Sequence, residues 1–335
     1  MKIAIVGAGA VGCYIGGCLA ASGADVRFMG RARMRDRVLA QGLRMTDYAG
    51  RDQRVKSVDF VLDPAAVAGR DLVLVCVKSQ HTADVAGQIR PHLAKDAVVI
   101  SFQNGLGNAA ALADGLGREV IAGMVGFNVA ILDDGRIHQG TRGQLHVGDD
   151  RALMGCVRAF IAAGLPLIAH PDMRPVLWAK LMMNLNNPVN ALAGIPLREQ
   201  LLQRDFRACL ALAQTEFLAL AQAAGLPKLA RLTPLPARAL PWVLRLPTPV
   251  FRLAAASMLR IDAKARSSMA DDLAQRKPTE VDWINGEVVR LAQGIGARAP
   301  VNQRLCALIH AAETAGQRPT WTAAALLAEL RNAMR

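Results

Sequence analysis

Short apolar runs alternate with helical patterns through the first half of the chain. The pattern predicts a strand over 3–6, a helix over 12–22 and a second strand over 26–29. Residues 72–77 (LVLVCV) are continuously apolar, as expected of a parallel-sheet strand covered on both faces. A helix follows over 82–93 and a strand over 98–102. Residues 120–132 and 143–147 read as later strands with Gly135 in a turn between them, and 153–163 as a helix. Pro166, Pro171 and Pro175 then mark the end of a domain. From Val176 onward the strand signal gives way to alanine- and leucine-rich stretches of helical periodicity at 176–193, 197–224, 251–260, 279–293, 301–315 and 320–334. Segment 227–249 holds six of the 16 prolines and cannot be one regular helix. The expectation is an α/β N-terminal domain with a parallel sheet over 1–172 and an all-α C-terminal domain over 173–335.

Composition agrees with two domains: 335 residues exceed one ordinary core, and 52% hydrophobic content excludes a disordered chain. The net charge of +13 raises nucleic acid or an anionic membrane as a partner. It is unevenly spread, however, at +4 for residues 1–170 and +9 for the rest. Between Lys228 and Arg266 eight basic residues face only Asp262. Aromatic content of 4% leaves few platforms on which bases could stack, so no nucleic-acid partner is expected. Arg231, Arg238, Arg245 and Arg252 recur every seven residues, but intervening prolines break helical phase. The segment reads as a solvated connection, with a subunit or anionic-partner contact as the alternative.

The six cysteines form no CxxC pair, and the six histidines form no ligand-spaced set, so no metal is expected. The thiols fit small buried hydrophobes in a reducing cytosol. Residues 3–24 carry no charge, and Ile15-Gly16-Gly17-Cys18 looks like a leader-peptide cleavage box. Six glycines in that run argue against a membrane helix, and no other uncharged run approaches spanning length. A soluble cytoplasmic protein with no membrane partner is expected.

The glycines have a better use. Lys2-Ile3-Ala4-Ile5-Val6-Gly7-Ala8-Gly9-Ala10-Val11-Gly12 is a strand running into GxGxxG and then a helix, the dinucleotide fingerprint of a Rossmann domain. Gly7 allows the tight turn, Gly9 lets a pyrophosphate approach the backbone, and Gly12 lets helix lie close to strand. The helix N-terminus, through Ala8, Ala10 and Val11, receives the negative charge. NAD would call for an acidic residue at the end of the second strand. Here that strand begins at Asp25 and ends in Gly30-Arg31, with Arg33, Arg35 and Arg37 following. Arg31 is placed to pair with a 2′-phosphate, which favours NADP(H).

Two stretches of the helical half hold polar residues where a buried helix would not want them. Lys180 and Asn184 lie one turn apart in Leu177-Trp178-Ala179-Lys180-Leu181-Met182-Met183-Asn184, followed by Asn186, Asn187 and Asn190. Ser267-Ser268-Met269 precedes Pro278-Thr279-Glu280-Val281-Asp282-Trp283-Ile284-Asn285-Gly286, where Glu280 opens a helix that Thr279 could cap. With the glycine turn, Val77-Lys78 and Gln103-Asn104-Gly105, these stretches resemble the ketopantoate reductase (2-dehydropantoate 2-reductase) family over nearly the whole chain. The resemblance implies NADPH-dependent reduction of 2-dehydropantoate to (R)-pantoate, on the route to pantothenate and coenzyme A. It implies a cleft between the two domains as the active site and a small 2-oxo acid as partner, with a homodimer as one assembly to expect.

By the same resemblance Lys180 is the catalytic lysine. Glu280 is the site glutamate, counted with both catalysis and cofactor binding. Asn104 lies near nicotinamide and substrate, Lys78 on the cofactor side, and Asn184 and Ser268 at the substrate. One departure stands out: Pro188 occupies the place of a second asparagine eight residues after the lysine, leaving Asn186, Asn187 or Asn190 to substitute. Independently, a ketone receiving hydride becomes an oxyanion, which a nearby ammonium can stabilise and protonate. The alternatives are a reductase of another branched 2-oxo acid and a non-catalytic NADP(H)-binding regulator.

Overall fold

The computed structural model describes residues 1–256, 259, 262, 265–316 and 320–335. The chain forms two compact units, Met1–Met173 and Arg174–Arg335. The first contains strands β1 (Lys2–Val6), β2 (Asp25–Met29), β3 (Leu43–Asp47), β4 (Asp52–Val55), β5 (Asp59–Val61), β6 (Leu72–Val75), β7 (Val98–Ser101), β8 (Ile121–Val125), β9 (Val129–Ile131), β10 (Ile137–Gln139), β11 (Leu145–Gly148) and β12 (Leu167–His170). Its helices are α1 (Ala10–Ala21), α2 (Ala32–Gln41), α3 (Thr82–Ile89), α4 (Asn108–Leu116) and α5 (Val157–Ala162).

Eight strands make one sheet in the order β5-β2-β1-β6-β7-β8-β11-β12, parallel except for the β8–β11 pair. The strand order reverses direction at β1, between β2 and β6, which is where an open α/β sheet leaves a crevice for a ligand. Side chains of β1 and β6 alternate between two cores, which is why both runs are unbroken apolar sequence. Ile3, Ile5, Leu72 and Leu74 join the core on the α1 face. Ala4, Val6, Val73 and Val75 join Ile89 of α3 and Leu112 of α4 on the other.

A second sheet, β4-β3-β10-β9, was not apparent from sequence pattern, nor were α2, β5, α4 and β12. It covers the far side of α1. Tyr14 of α1 donates to Gln139 Oε1 of β10 at 2.8 Å, and a Cβ on Gly17 would overlap the side chain of Met45 in β3. On its other side, a Cβ on Gly16 would run into Ile5 and Phe28 at 2.5–2.6 Å. The leader-like apolar run is therefore strand, turn and a helix buried on two sides, which accounts for its lack of charge. The stretch expected as one strand over 120–132 is divided between β8 and β9 at Gly126. There its N–H donates to Gln144 O at 2.8 Å, and Gly143 packs against its carbonyl.

The second unit is helical, with no strand among its described residues: α6 (Arg174–Asn184), α7 (Asn186–Ala193), α8 (Leu197–Leu202), α9 (Arg204–Ala223), α10 (Leu240–Arg245), α11 (Thr248–Ala254), α12 (Ser268–Ala274), α13 (Asn285–Gly294), α14 (Pro300–Ala315) and α15 (Ala323–Ala333). Stretch 176–193 is two helices because Pro188 has no N–H to offer the carbonyl of Asn184 four residues back. As third residue of α7, Pro188 sits where its missing donor costs nothing. The predicted helix at 251–260 is α11 as far as Ala254; residues 257, 258 and 260 lie outside the described residues.

Segment 227–249 is a solvated connection only in part: 227–239 contain no buried residue, whereas the stretch from Leu240 packs into the unit. Leu240 and Leu244 are buried, and Arg207 of α9, itself fully buried, fastens the segment. Its guanidinium donates to the carbonyls of Leu201 (2.9 Å), Leu244 (3.0 Å) and Leu246 (2.8 Å) and lies 4.2 Å from the centre of the Phe251 ring. Those carbonyls close α8 and α10, so the cation meets the negative ends of two helices. No helix among the described residues is long and apolar enough to cross a membrane.

Candidate active site

The glycine turn joins β1 to α1 at the strand-order reversal. Gly7 has φ +96°, and a Cβ there would lie 2.5 Å from the Val77 nitrogen. Its N–H and that of Ala8 donate to Met29 O at 3.0 and 2.9 Å, tying the turn to the end of β2. A Cβ on Gly12 would overlap Gly7's carbonyl and lie 2.9 Å from Ile5, so helix and strand touch here. Around Gly9 a Cβ would meet nothing within 4 Å. That side of the turn is open, and the first N–H groups of α1, which have no partners within the helix, point out of its N-terminus. Three glycines thus do three different jobs, and the open one leaves room for an anion beside the backbone. Arg31 stands two residues past the end of β2, exposed, as the residue before α2. Gly30 beside it leaves no room for a side chain, since a Cβ would lie 2.9 Å from Phe60.

Lys78 and Asn104 stand on the loops after β6 and β7, and a buried polar network fixes both loops. Ser79 Oγ donates to Asn104 O at 2.9 Å, and Asn108 Nδ2 reaches the same carbonyl as well as Ser79 Oγ. Thr82 Oγ1 accepts from Gln103 Nε2 at 2.7 Å and lies 2.9 Å from Asn108 Oδ1, while Ser101 Oγ donates to Gln103 Oε1 at 3.0 Å. Sequence reading missed Ser79, Thr82, Ser101 and Asn108. The available signal was polar residues at both C-terminal strand ends of neighbouring apolar runs.

In the helical unit, Lys180 and Asn184 share α6, both half-buried, with Ala179, Leu181 and Met182 buried around the lysine. Burial pulls the Lys180 ammonium down to about 8. The asparagines separate by environment. Asn186 is buried in a reciprocal amide pair with Gln200 at 3.0 and 3.1 Å. Asn190 has no exposed surface: its amide donates to Ile195 O at 3.1 Å and accepts from Ser267 N–H at 2.8 Å. A group so enclosed presents no surface to a substrate. Asn187 remains half-buried, its carbonyl accepting from Ser267 Oγ at 3.1 Å.

These bonds bring the start of α12, and with it Ser268, against α7. The cap of α12 is Ser267, which accepts from Ala270 N–H at 3.2 Å, while Ser268 is the first helical residue. Glu280, buried, precedes a single 3₁₀ turn (Val281–Trp283) rather than the α-helix expected there, since α13 begins at Asn285. Thr279 Oγ1 does accept from Val281 N–H at 3.3 Å, and Glu313 anchors the Thr279 N–H at 2.7 Å.

A parallel sheet with a glycine turn at its order reversal, followed by a helical unit carrying a lysine tuned toward neutrality, defines a two-unit oxidoreductase of the Rossmann type. The chain matches the family described as ketopantoate reductase PanE/ApbA over residues 3–151 and that family's C-terminal region over 172–313. The chain belongs to the ketopantoate reductase family. A PanE/ApbA family ketopantoate reductase of known structure from Ralstonia eutropha is 34% identical, with a TM-score of 0.80, covering 95% of this chain and 100% of that one. A 2-dehydropantoate 2-reductase of Halobacterium salinarum is 29% identical over 332 residues, 94% of this chain and all of its own. The fold is shared, at TM-score 0.77 and 21% identity over 94% of this chain and 99% of the other, with D-mandelate dehydrogenase in a ternary structure with NADH and anilino(oxo)acetate.

Proposed function

We propose that the protein reduces 2-dehydropantoate to (R)-pantoate with NADPH, on the route to pantothenate and coenzyme A. The observation that carries the reading is Lys180, an ammonium on an apolar helix with its pKa brought to about 8. Such a group is still roughly nine-tenths protonated at neutral pH, yet gives up its proton far more readily than an ordinary lysine. When bound, the reduced nicotinamide supplies the hydride that turns the substrate ketone into an alkoxide. Lys180 stabilises that oxygen and donates its proton to it.

Gly9 and the α1 N-terminus hold the pyrophosphate, and Arg31 the 2′-phosphate. Lys78 and Asn104 support the cofactor side, with Asn104 also reaching the substrate. Asn184, Asn187 and Ser268 offer neutral hydrogen bonds to the substrate carboxylate and hydroxyl, and Glu280 accepts from the hydroxyl. Asn190 is left out, because its enclosed amide supports Ser267 instead.

Pro188 favours a second reading, reduction of another branched 2-oxo acid, because it removes a side-chain donor from the position where the family resemblance leads one to expect asparagine. The test is oxidation of NADPH and of NADH against a panel of 2-oxo acids. Preferred turnover of 2-dehydropantoate with NADPH supports the first reading, and preference for another acid the second. Turnover of none defeats both.

A further inference from the structure

We propose that His81 is a second, proton-dependent ligand for the dinucleotide's 2′-phosphate, so that selection of NADPH over NADH strengthens as pH falls. The inference rests on the NADP(H) reading above and adds to it a residue and a condition. Arg31 stands two residues past the end of β2, at the head of α2. His81 ends the short turn Ser79–His81 that follows β6, and immediately precedes α3. Since β2 and β6 flank β1, the two side chains come together beside the glycine turn, with Arg31 Nη2 2.9 Å from His81 Nε2.

A guanidinium carries only donors. The ring nitrogen facing it must therefore accept, which requires a neutral imidazole with its proton on Nδ1. Protonation would leave two cationic donors in contact with no acceptor between them. A phosphate dianion reverses that preference. It accepts from both groups, and a charged imidazolium adds an attraction between opposite charges that a neutral ring lacks. Phosphate binding should therefore draw a proton onto His81, whereas a ribose hydroxyl, as in NADH, has no such pull.

The ring touches Arg31 from the β2–α2 junction, and the charged residues nearest to it along its own chain are Lys78 at the head of its turn and Asp84 in the first turn of α3. Arginine, lysine and aspartate ordinarily titrate outside the range from about pH 6 to 9, and a phosphate monoester is mostly dianionic above about pH 7. Of these groups the imidazole is the one that titrates within that window, and the His81→Gln variant separates its change from that of Lys180. The sign follows from the proton's direction. Binding raises the ring's pKa, so the added affinity is fully present below the free-ring value and is lost as pH rises through the bound value.

The test is equilibrium binding of NADPH and NADH to the full chain, followed by nicotinamide fluorescence at about pH 6.5 and 8.5. NADPH should bind about tenfold more weakly at the higher pH for each unit by which it raises the ring's pKa, while NADH changes by less than about twofold. His81→Gln should flatten the NADPH response, and His81→Arg should hold affinity high at both values. Calorimetry in two buffers of different ionisation enthalpy should register proton uptake with NADPH and none with NADH. A wild-type preference for NADPH that ignores pH, or a slope unchanged in His81→Gln, overturns the role of His81 and leaves the NADPH reading standing. No preference for NADPH at either pH defeats both.

Discussion

The amide of Asn190 accepts a hydrogen bond from the backbone N–H of Ser267 at 2.8 Å, across 77 positions of sequence. One enclosed side chain thereby fixes where α12 begins, and so where Ser268 stands relative to Asn187. Asn190 is a positioning residue.

Asn190→Ala should leave the Ser267 N–H and the Ile195 carbonyl buried and unpaired, at a cost of about 2 kcal/mol in denaturant unfolding. In the folded fraction KM for the 2-oxo acid should rise more than kcat falls. A variant with unchanged stability would contradict the bonding described.

Lys180→Ala should lower kcat by at least about two decades at neutral pH, the lower end for a lost general acid. Dinucleotide affinity should barely move, since the lysine serves the reacting oxygen. Lys180→Gln keeps a donor without an acidic proton and should recover binding more than rate. Wild-type activity should fall as pH rises through about 8, where the ammonium is lost, and neither variant should show that limb. A Lys180→Ala enzyme within about threefold of wild type would exclude proton donation by this residue.

The glycine turn offers a separation of fold from binding. Gly9→Ala places a methyl in open space, so the melting temperature should stay near wild type while dinucleotide affinity falls by at least about tenfold. Gly7→Ala forces a Cβ against Val77 at a backbone angle that suits glycine, and should lower stability even without ligand. Equal thermal losses in both would show that Gly9 is needed by the fold.

Arg207→Met should cost about 3 kcal/mol of unfolding free energy, because three buried carbonyls lose their donor together. Arg207→Lys should recover little, since one ammonium lacks the planar fork that reaches carbonyls on two helices. Activity per folded molecule should survive in both, read as kcat corrected by the folded fraction.

Local sequence showed what local physics fixes. β1 and β6 are legible because both faces are covered and every residue must be apolar; the turn is legible because only glycine meets its constraints. The small sheet is invisible for the opposite reason. Strand β3 pairs with β10 about 90 residues later, and β3–β4 display charges such as the Arg44–Asp52 pair at 2.6 Å on a half-exposed face. The polar residues behind Lys78 and Asn104 were equally silent, since Thr82, Gln103 and Asn108 look like ordinary loop residues until β6 and β7 lie side by side. Lys180 stood out in sequence by its apolar surroundings. The three asparagines after it did not sort themselves, because exposure alone distinguishes Asn187 from Asn190.

Helix α1 is held between two sheets and comes closest to them at glycines, Gly12 and Gly16 on one side and Gly17 on the other. On the small-sheet side the bond from Tyr14 to Gln139 Oε1 adds a polar tie to that packing. The position of the α1 N-terminus therefore depends on the thickness of a sandwich, and a single methyl added at Gly17, on the face turned away from β1, would act as a shim that shifts that end relative to Arg31.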